Sequence, residues 1–354
     1  LPLANLGGDP EQQYFSDGVT ADIITELSRW RLFAVRSRSA SFKYRGPDVD
    51  PVQVARELNV RFIVEGTVRR MGERVRISVQ LINAETGNQV WGERFDRSQA
   101  EIFAVQDEVV RTIVSTLVGR VHVSDAERAR RKAPASLAAY ECVLEGNALH
   151  WDDPEQEAEA TRLIERAIEI DPGYGMAYAL LGTMRRAKWR DDPGDSNALL
   201  DEAYQLALRS VELDDSESTS HSLLGQTCLY RRDFALAMQH MQRSVELNPN
   251  NQWNVADMGL ILVYAGQAQE ALAWNQRARQ IDPYFDEPWY WRQAGLTCMV
   301  LGQYQDALTL FGRIAIRGYR IAAYMAACHA RLGDMERARA CAARGAGWRA
   351  RARR

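Results

Sequence analysis

Val211-Glu-Leu-Asp-Asp215 returns as Val245-Glu-Leu-Asn-Pro249 and again as Arg279-Gln-Ile-Asp-Pro283, each start 34 residues after the last. Between these stops stand Gly225, Gly259 and Gly295, each behind an apolar residue, and then Ala237, Ala271 and Ala307. A period of this length, carrying two amphipathic segments per unit, describes a stack of helical hairpins. The small residues mark where one helix must let its neighbour approach closely. Proline after the second helix cannot continue it and biases the preceding residue toward an extended conformation, so the helix stops there. No single hairpin can cover its own apolar stripe, so the units stack into a solenoid with a concave face.

These markers resemble the tetratricopeptide repeat (TPR) family. About six repeats are expected over 136–354. The first pairs 136–150 with 155–170, and the second pairs 174–189 with 198–213, around a longer turn at Asp191-Asp-Pro-Gly-Asp-Ser196. Repeats three and four have regular length. The fifth replaces the Asp-Pro stop with Arg317-Gly318-Tyr319, and the sixth is compressed and rich in Ala and Arg, as suits a capping unit.

Residues 1–122 do not follow the repeat. Alternation and turn signals predict a strand at 32–36, a loop at 37–49, and strands over 61–71, 74–83 and 88–95, the first two of these joined at Gly72-Glu73. Apolar periodicity predicts helices at about 17–30, 50–58 and 99–121. The expectation is a small α/β sandwich, then a charged linker at 123–135 ending near Pro134, then the all-α solenoid. The two parts are expected to be separable folding units.

Leu1-Pro-Leu-Ala-Asn-Leu-Gly-Gly-Asp-Pro-Glu-Gln-Gln-Tyr-Phe-Ser-Asp-Gly-Val-Thr20, Ser41-Phe-Lys-Tyr44 and Val54-Ala-Arg-Glu-Leu-Asn-Val-Arg-Phe-Ile-Val-Glu-Gly-Thr-Val-Arg-Arg70 resemble the TolB amino-terminal-like domain. The resemblance implies a setting in bacterial signalling proteins. There the domain stands before TPRs and downstream of a class III adenylate cyclase domain or a CadC-like winged-helix DNA-binding domain. It carries no catalytic residue. The chain opens on an apolar run without Met, which is expected of a fragment whose upstream residues are missing.

Composition bounds the chemistry. At 354 residues, 46% hydrophobic and 26% charged, the chain suits two soluble domains, and a net charge of −3 argues against a whole-chain nucleic-acid or membrane partner. No apolar run of about 18 residues and no signal-peptide pattern is present, so no membrane insertion is expected within the chain. The setting implied is a soluble region on the cytoplasmic or periplasmic side of a bacterial inner membrane. Five cysteines without CxxC spacing and five histidines without HExxH give no disulfide framework, metal site or cofactor site.

Local motifs read as structural. Gly7-Gly8-Asp9-Pro10 lacks the lysine of a phosphate loop and is expected to be a turn. Arg36, Arg38, Lys43 and Arg45, with Phe42 and Tyr44, are expected in a solvated loop. The acidic run Asp152 to Glu159 suits a helix N-terminus. Seven arginines and no acid from Arg337 to Arg354 suit a solvated helix end.

With the glycines at the eighth place of each unit, the concave face is expected to present three rows. They are Thr219, Ser222, Gln226 and Tyr230; Trp253, Asp257, Leu260 and Tyr264; and Trp289, Arg292 and Gln293. Aromatic anchors, hydrogen-bonding groups and one charge of each sign suit a protein or peptide partner, with no nucleic acid, since a phosphate-tracking groove needs several cations. The function expected is a non-catalytic interaction or sensory module, C-terminal to a missing nucleotide cyclase or, as a variant, a DNA-binding output domain. The alternative is a stand-alone TPR scaffold for envelope or secretion assembly.

Overall fold

The computed structural model describes residues 1–7, 13–30, 34–46, 49–118, 135–149, 151, 153–191, 197–314 and 318–352. The linker expected at 123–135 therefore lies, except for Ala135, outside the described residues. So do the inserted turn at 192–196 and most of the Gly7–Pro10 turn.

The α/β part is a four-stranded sheet in the order β1-β2-β3-β4. Strand β1 (Ala4–Asn5) runs parallel to β2 (Phe62–Met71), which pairs antiparallel with β3 (Arg74–Asn83), and β3 with β4 (Asn88–Ser98). The β2–β3 hairpin turns through Gly72 at φ 59°, so the two-residue connection falls where the sequence places it. Helices α1 (Gln13–Ser28) and α4 (Ile102–Val118) cover the sheet, burying Phe15, Val19 and Ile23 with Ile77, Val79, Phe95, Val105 and Val109.

Between them lie α2 (Arg38–Ser41), capped by the Ser37 hydroxyl, and α3 (Pro51–Leu58), capped by Asp50 and closed by left-handed Asn59. The strand expected at 32–36 is corrected over 34–36, which has no regular structure; residues 31–33 are outside the described set. The reason lies in Arg36. Its guanidinium donates to Leu58 O at 2.7 Å and to Gln280 O at 2.5 Å, which draws the segment toward α3 and the repeats rather than to a sheet edge.

Among the described residues the repeats follow as six hairpins. They are α5 (Leu137–Ala148) with α6 (Pro154–Ile170), α7 (Gly175–Asp191) with α8 (Ala198–Leu213), and α9 (Ser218–Tyr230) with α10 (Phe234–Leu247). Then come α11 (Gln252–Tyr264) with α12 (Ala268–Ile281), α13 (Pro288–Val300) with α14 (Tyr304–Gly312), and α15 (Tyr319–Arg331) with α16 (Met335–Ala352). Asp153 caps α6, and Glu155 and Glu157 occupy its first turn, as the acidic run implies. The first helices α7, α9, α11, α13 and α15 pack on one another as well as on their partners, so they form the inner layer of the solenoid. Among the described residues no helix is long and apolar enough to cross a membrane.

The two parts share a boundary. Helix α5 lies against α1: the Tyr140 hydroxyl donates to Asp22, Arg70 pairs with Glu141 at 2.6 Å, and Phe103 meets the Tyr140 ring edge-on.

Candidate functional site

The inner layer places the expected row residues in three environments. Trp253 and Tyr264 stand out from it, 41% and 48% exposed. Thr219, Tyr230, Trp289 and Arg292 are half-buried. Ser222, Gln226, Asp257, Leu260 and Gln293 are buried.

These burials have partners. The Ser222 hydroxyl and the Gln226 amide both donate to Asp257 Oδ2, at 3.1 and 2.7 Å, joining α9 to α11. Gln293 donates to Ala256 O at 2.7 Å and to Asn275 Oδ1 at 3.3 Å, so its amide works as an internal staple between repeats four and five. Trp253 stacks on Trp289 with ring centroids 5.3 Å apart, and Phe285 meets both rings edge-on. Tyr230 lies against Trp189 at 5.2 Å.

The groove is more basic than its middle repeats imply. Arg186 and Arg190 of α7 lie within electrostatic range of Asp257, and Arg292 of α13 within that of Arg186. Burial lowers the Arg186 guanidinium from its ordinary pKa, and Arg190 and Arg292 act in the same direction, while Tyr230 and Asp257 oppose. Burial likewise pushes the Asp257 carboxyl up to about 6 against the pull of Arg186, the Ser222 hydroxyl and Arg190. The Tyr264 hydroxyl is raised by burial and by Tyr324 and Tyr230, with Arg292 and Arg320 pulling it down.

The rows of repeats three to five hold one charge of each sign, Asp257 and Arg292, and repeat two contributes Arg186 and Arg190 in addition. A signal was present. With Gly182 as the eighth residue of its unit, Arg186 falls at the twelfth place, next to the thirteenth that Tyr230 and Tyr264 occupy.

The basic loop at 36–45 is solvated only in part: Lys43 and Arg45 are exposed, while other residues of the loop dock on the turns between repeats. Arg36 holds Gln280 O, the Ser39 hydroxyl donates to Asp282, and Lys43 sits 3.5 Å over the Tyr284 ring. Along the same edge Arg29 donates to Ser216 O at 2.5 Å, and Asn250 donates to Ser28 O at 3.0 Å. Arg45 is held bidentately by Asp17. A cavity of about 280 Å³ remains between α1 and the repeats, and Asp17, Arg38, Glu217, Thr219, Asn251 and Trp253 contribute to its lining. No cluster of His, Cys, Asp or Glu among the described residues could hold a metal ion.

Residues 9–112 match the family described as HilA/YgeH-like transcriptional regulator, second domain. Over 254 residues the chain is 39% identical to "Putative adenylate cyclase 3" of Rhizobium meliloti (strain 1021), an alignment that covers 69% of this chain. The chain spans 40% of that relative's length. Among solved structures it is similar to PilW, a widely conserved type IV pilus biogenesis factor, with 17% identity and a TM-score of 0.44 over 59% of this chain and 93% of that one. It is also similar to TTC0263, a thermophilic TPR protein of Thermus thermophilus, with 16% identity and a TM-score of 0.42 over 54% and 98%.

Proposed function

We propose that this chain is a non-catalytic interaction and regulatory module of a bacterial signalling protein, standing C-terminal to a nucleotide cyclase domain. The observation that carries the reading is the 39% identity to a much longer relative named as an adenylate cyclase, most of whose length lies beyond the alignment. The TolB-like and TPR-like stretches agree with that setting. A protein or peptide partner binds the inner face of repeats three to five, where Trp253 and Tyr264 offer exposed aromatic surface. The match of residues 9–112 to a transcriptional regulator's second domain favours a second reading, in which the output domain binds DNA instead.

Two measurements test this. The full-length gene product is assayed for cyclic nucleotide formation and for DNA binding. The first reading expects cyclase turnover in the full-length protein and none in residues 1–354 alone; turnover by the isolated chain that a single substitution abolishes refutes it. For the groove, a captured partner is compared on Trp253→Ala, Tyr264→Ala and the exposed control Gln269→Ala. The aromatic truncations are expected to cost about 2 kcal/mol, roughly thirtyfold in Kd, and the control almost nothing. Equal affinity across the set would place recognition elsewhere, on the α/β part.

A further inference from the structure

The cavity of about 280 Å³ between α1 and the repeats has walls from both parts of the chain. Asp22, Thr25 and Arg38 line it from the α/β part, and Thr219, Asn248 and Trp253 from the repeats. One buried group in this lining is left over. Asn248 closes α10 and is 1% exposed, and its Oδ1 has no hydrogen-bond partner in the protein. A buried acceptor in that state costs folding free energy that a bound donor returns.

The carboxylates of the lining are already engaged. Asp17 is held bidentately by Arg45, Asp22 receives the Tyr140 hydroxyl and the Gln106 amide, and Glu217 caps α9 by accepting from Thr219 N at 3.0 Å. Arg38 stands within electrostatic range of both Asp17 and Asp22. What the lining offers beyond these pairs is neutral: the hydroxyls of Thr25 and Thr219 and the amides of Asn147, Asn248 and Gln252. An amide sets a donor beside an acceptor, which matches a pair of neighbouring hydroxyls, and each hydroxyl can itself donate and accept. The Trp253 indole is held by stacking on Trp289, and the negative face of such a ring attracts the polarised C–H groups of a sugar.

We infer that this cavity binds a neutral polyhydroxylated ligand, a sugar of one or two rings, bridging the α/β part and the repeats. The volume lies at the low end for ligand pockets, which run roughly 300–1,000 Å³, so a polymer is not accommodated. An anion meets Asp17, Asp22 and Glu217 in the same walls, and an amine finds those carboxylates already paired. Because the ligand touches both walls, it binds the docked arrangement of the two parts and favours it over any in which they separate. The site would give the module a small-molecule input, and it does not depend on the peptide partner proposed above.

The test uses the full chain. Isothermal titration is run with glucose, galactose, N-acetylglucosamine, maltose, trehalose and myo-inositol, and with putrescine, glutamate and inorganic phosphate as charged comparisons. Amide exchange with and without the tightest binder locates the site. The expected result is binding of at least one neutral compound, with exchange slowed both in α1 and over 248–253. Asn248→Leu and Thr219→Val should each weaken it about tenfold or more. Ala148→Phe, which narrows the cavity from α5, should abolish it. Asn248→Leu should unfold at the parent's temperature or above it, since it removes the unpaired acceptor; if it does not fold, Thr219→Val and Ala148→Phe decide.

No binding by any neutral compound would overturn the inference. So would a bound sugar that ignores all three substitutions, or one that slows exchange outside these walls. Putrescine, glutamate or phosphate binding more tightly than every neutral compound, with the same dependence on Thr219 and Ala148, would replace the sugar by a charged ligand.

Discussion

Gly259→Ala tests how closely the inner layer depends on one missing methyl group. A Cβ there would lie 2.6 Å from Asn275 Oδ1 and 3.2 Å from its Cγ. Asn275 cannot swing aside freely. It is 2% exposed, its amide donates to Thr297 Oγ1 at 3.0 Å, and its Oδ1 accepts from Gln293. Overpacking costs about 1–3 kcal/mol and a broken buried hydrogen bond a similar amount, while alanine's better helix propensity returns about 1, so the net loss is about 1–5 kcal/mol. Gly266→Ala is the comparison. Its φ is +79° with nothing within 4 Å, so only left-handed strain remains, about 1 kcal/mol net of the stiffer unfolded chain. Urea midpoints at unchanged slope measure both. Because repeats interact mainly with their neighbours, amide exchange in Gly259→Ala should quicken over α12 and α13 and not in the sheet. Equal midpoints, or faster exchange spread evenly over both parts, would refute the packing argument.

Two further outcomes follow from the same contacts. The Asp257 carboxyl titrates at about 6 in the fold against an ordinary 3.8, so the folded state holds the extra proton between those values. That contribution is complete below 3.8 and is lost as pH rises through 6, on the order of 3 kcal/mol. The stability of Asp257→Asn relative to the parent should therefore fall between pH 7 and pH 4, and parallel melting curves would contradict it. Limited proteolysis is expected to cut first within 123–135, with the two fragments still co-eluting because Arg29, Arg36, Ser39 and Asn250 bridge them. Adding Arg36→Ala and Lys43→Ala should let them separate. Resistance at the linker with cutting inside 61–95 would remove the two-unit organisation.

The sequence by itself determined the hairpin period, the helix stops and the strand alternation of residues 61–95. Each of these is a local matter, in which proline ends a helix, a two-residue turn needs a glycine at positive φ, and an apolar stripe repeats at the helix period. The same period sets the expectation of an inner face from Thr219 to Gln293. What the period could not decide was which inner-face groups would meet. The tertiary structure turned Ser222 and Gln226 onto Asp257, drew Gln293 onto Asn275, and brought Arg186 toward Arg292 from three repeats away. It also seated the basic loop of Arg36, Ser39 and Lys43 on turns near residue 282. These outcomes depend on the curvature of the stack and on how the α/β part lies against its edge. Both are sums over many distant contacts, and no spacing along the chain encodes them.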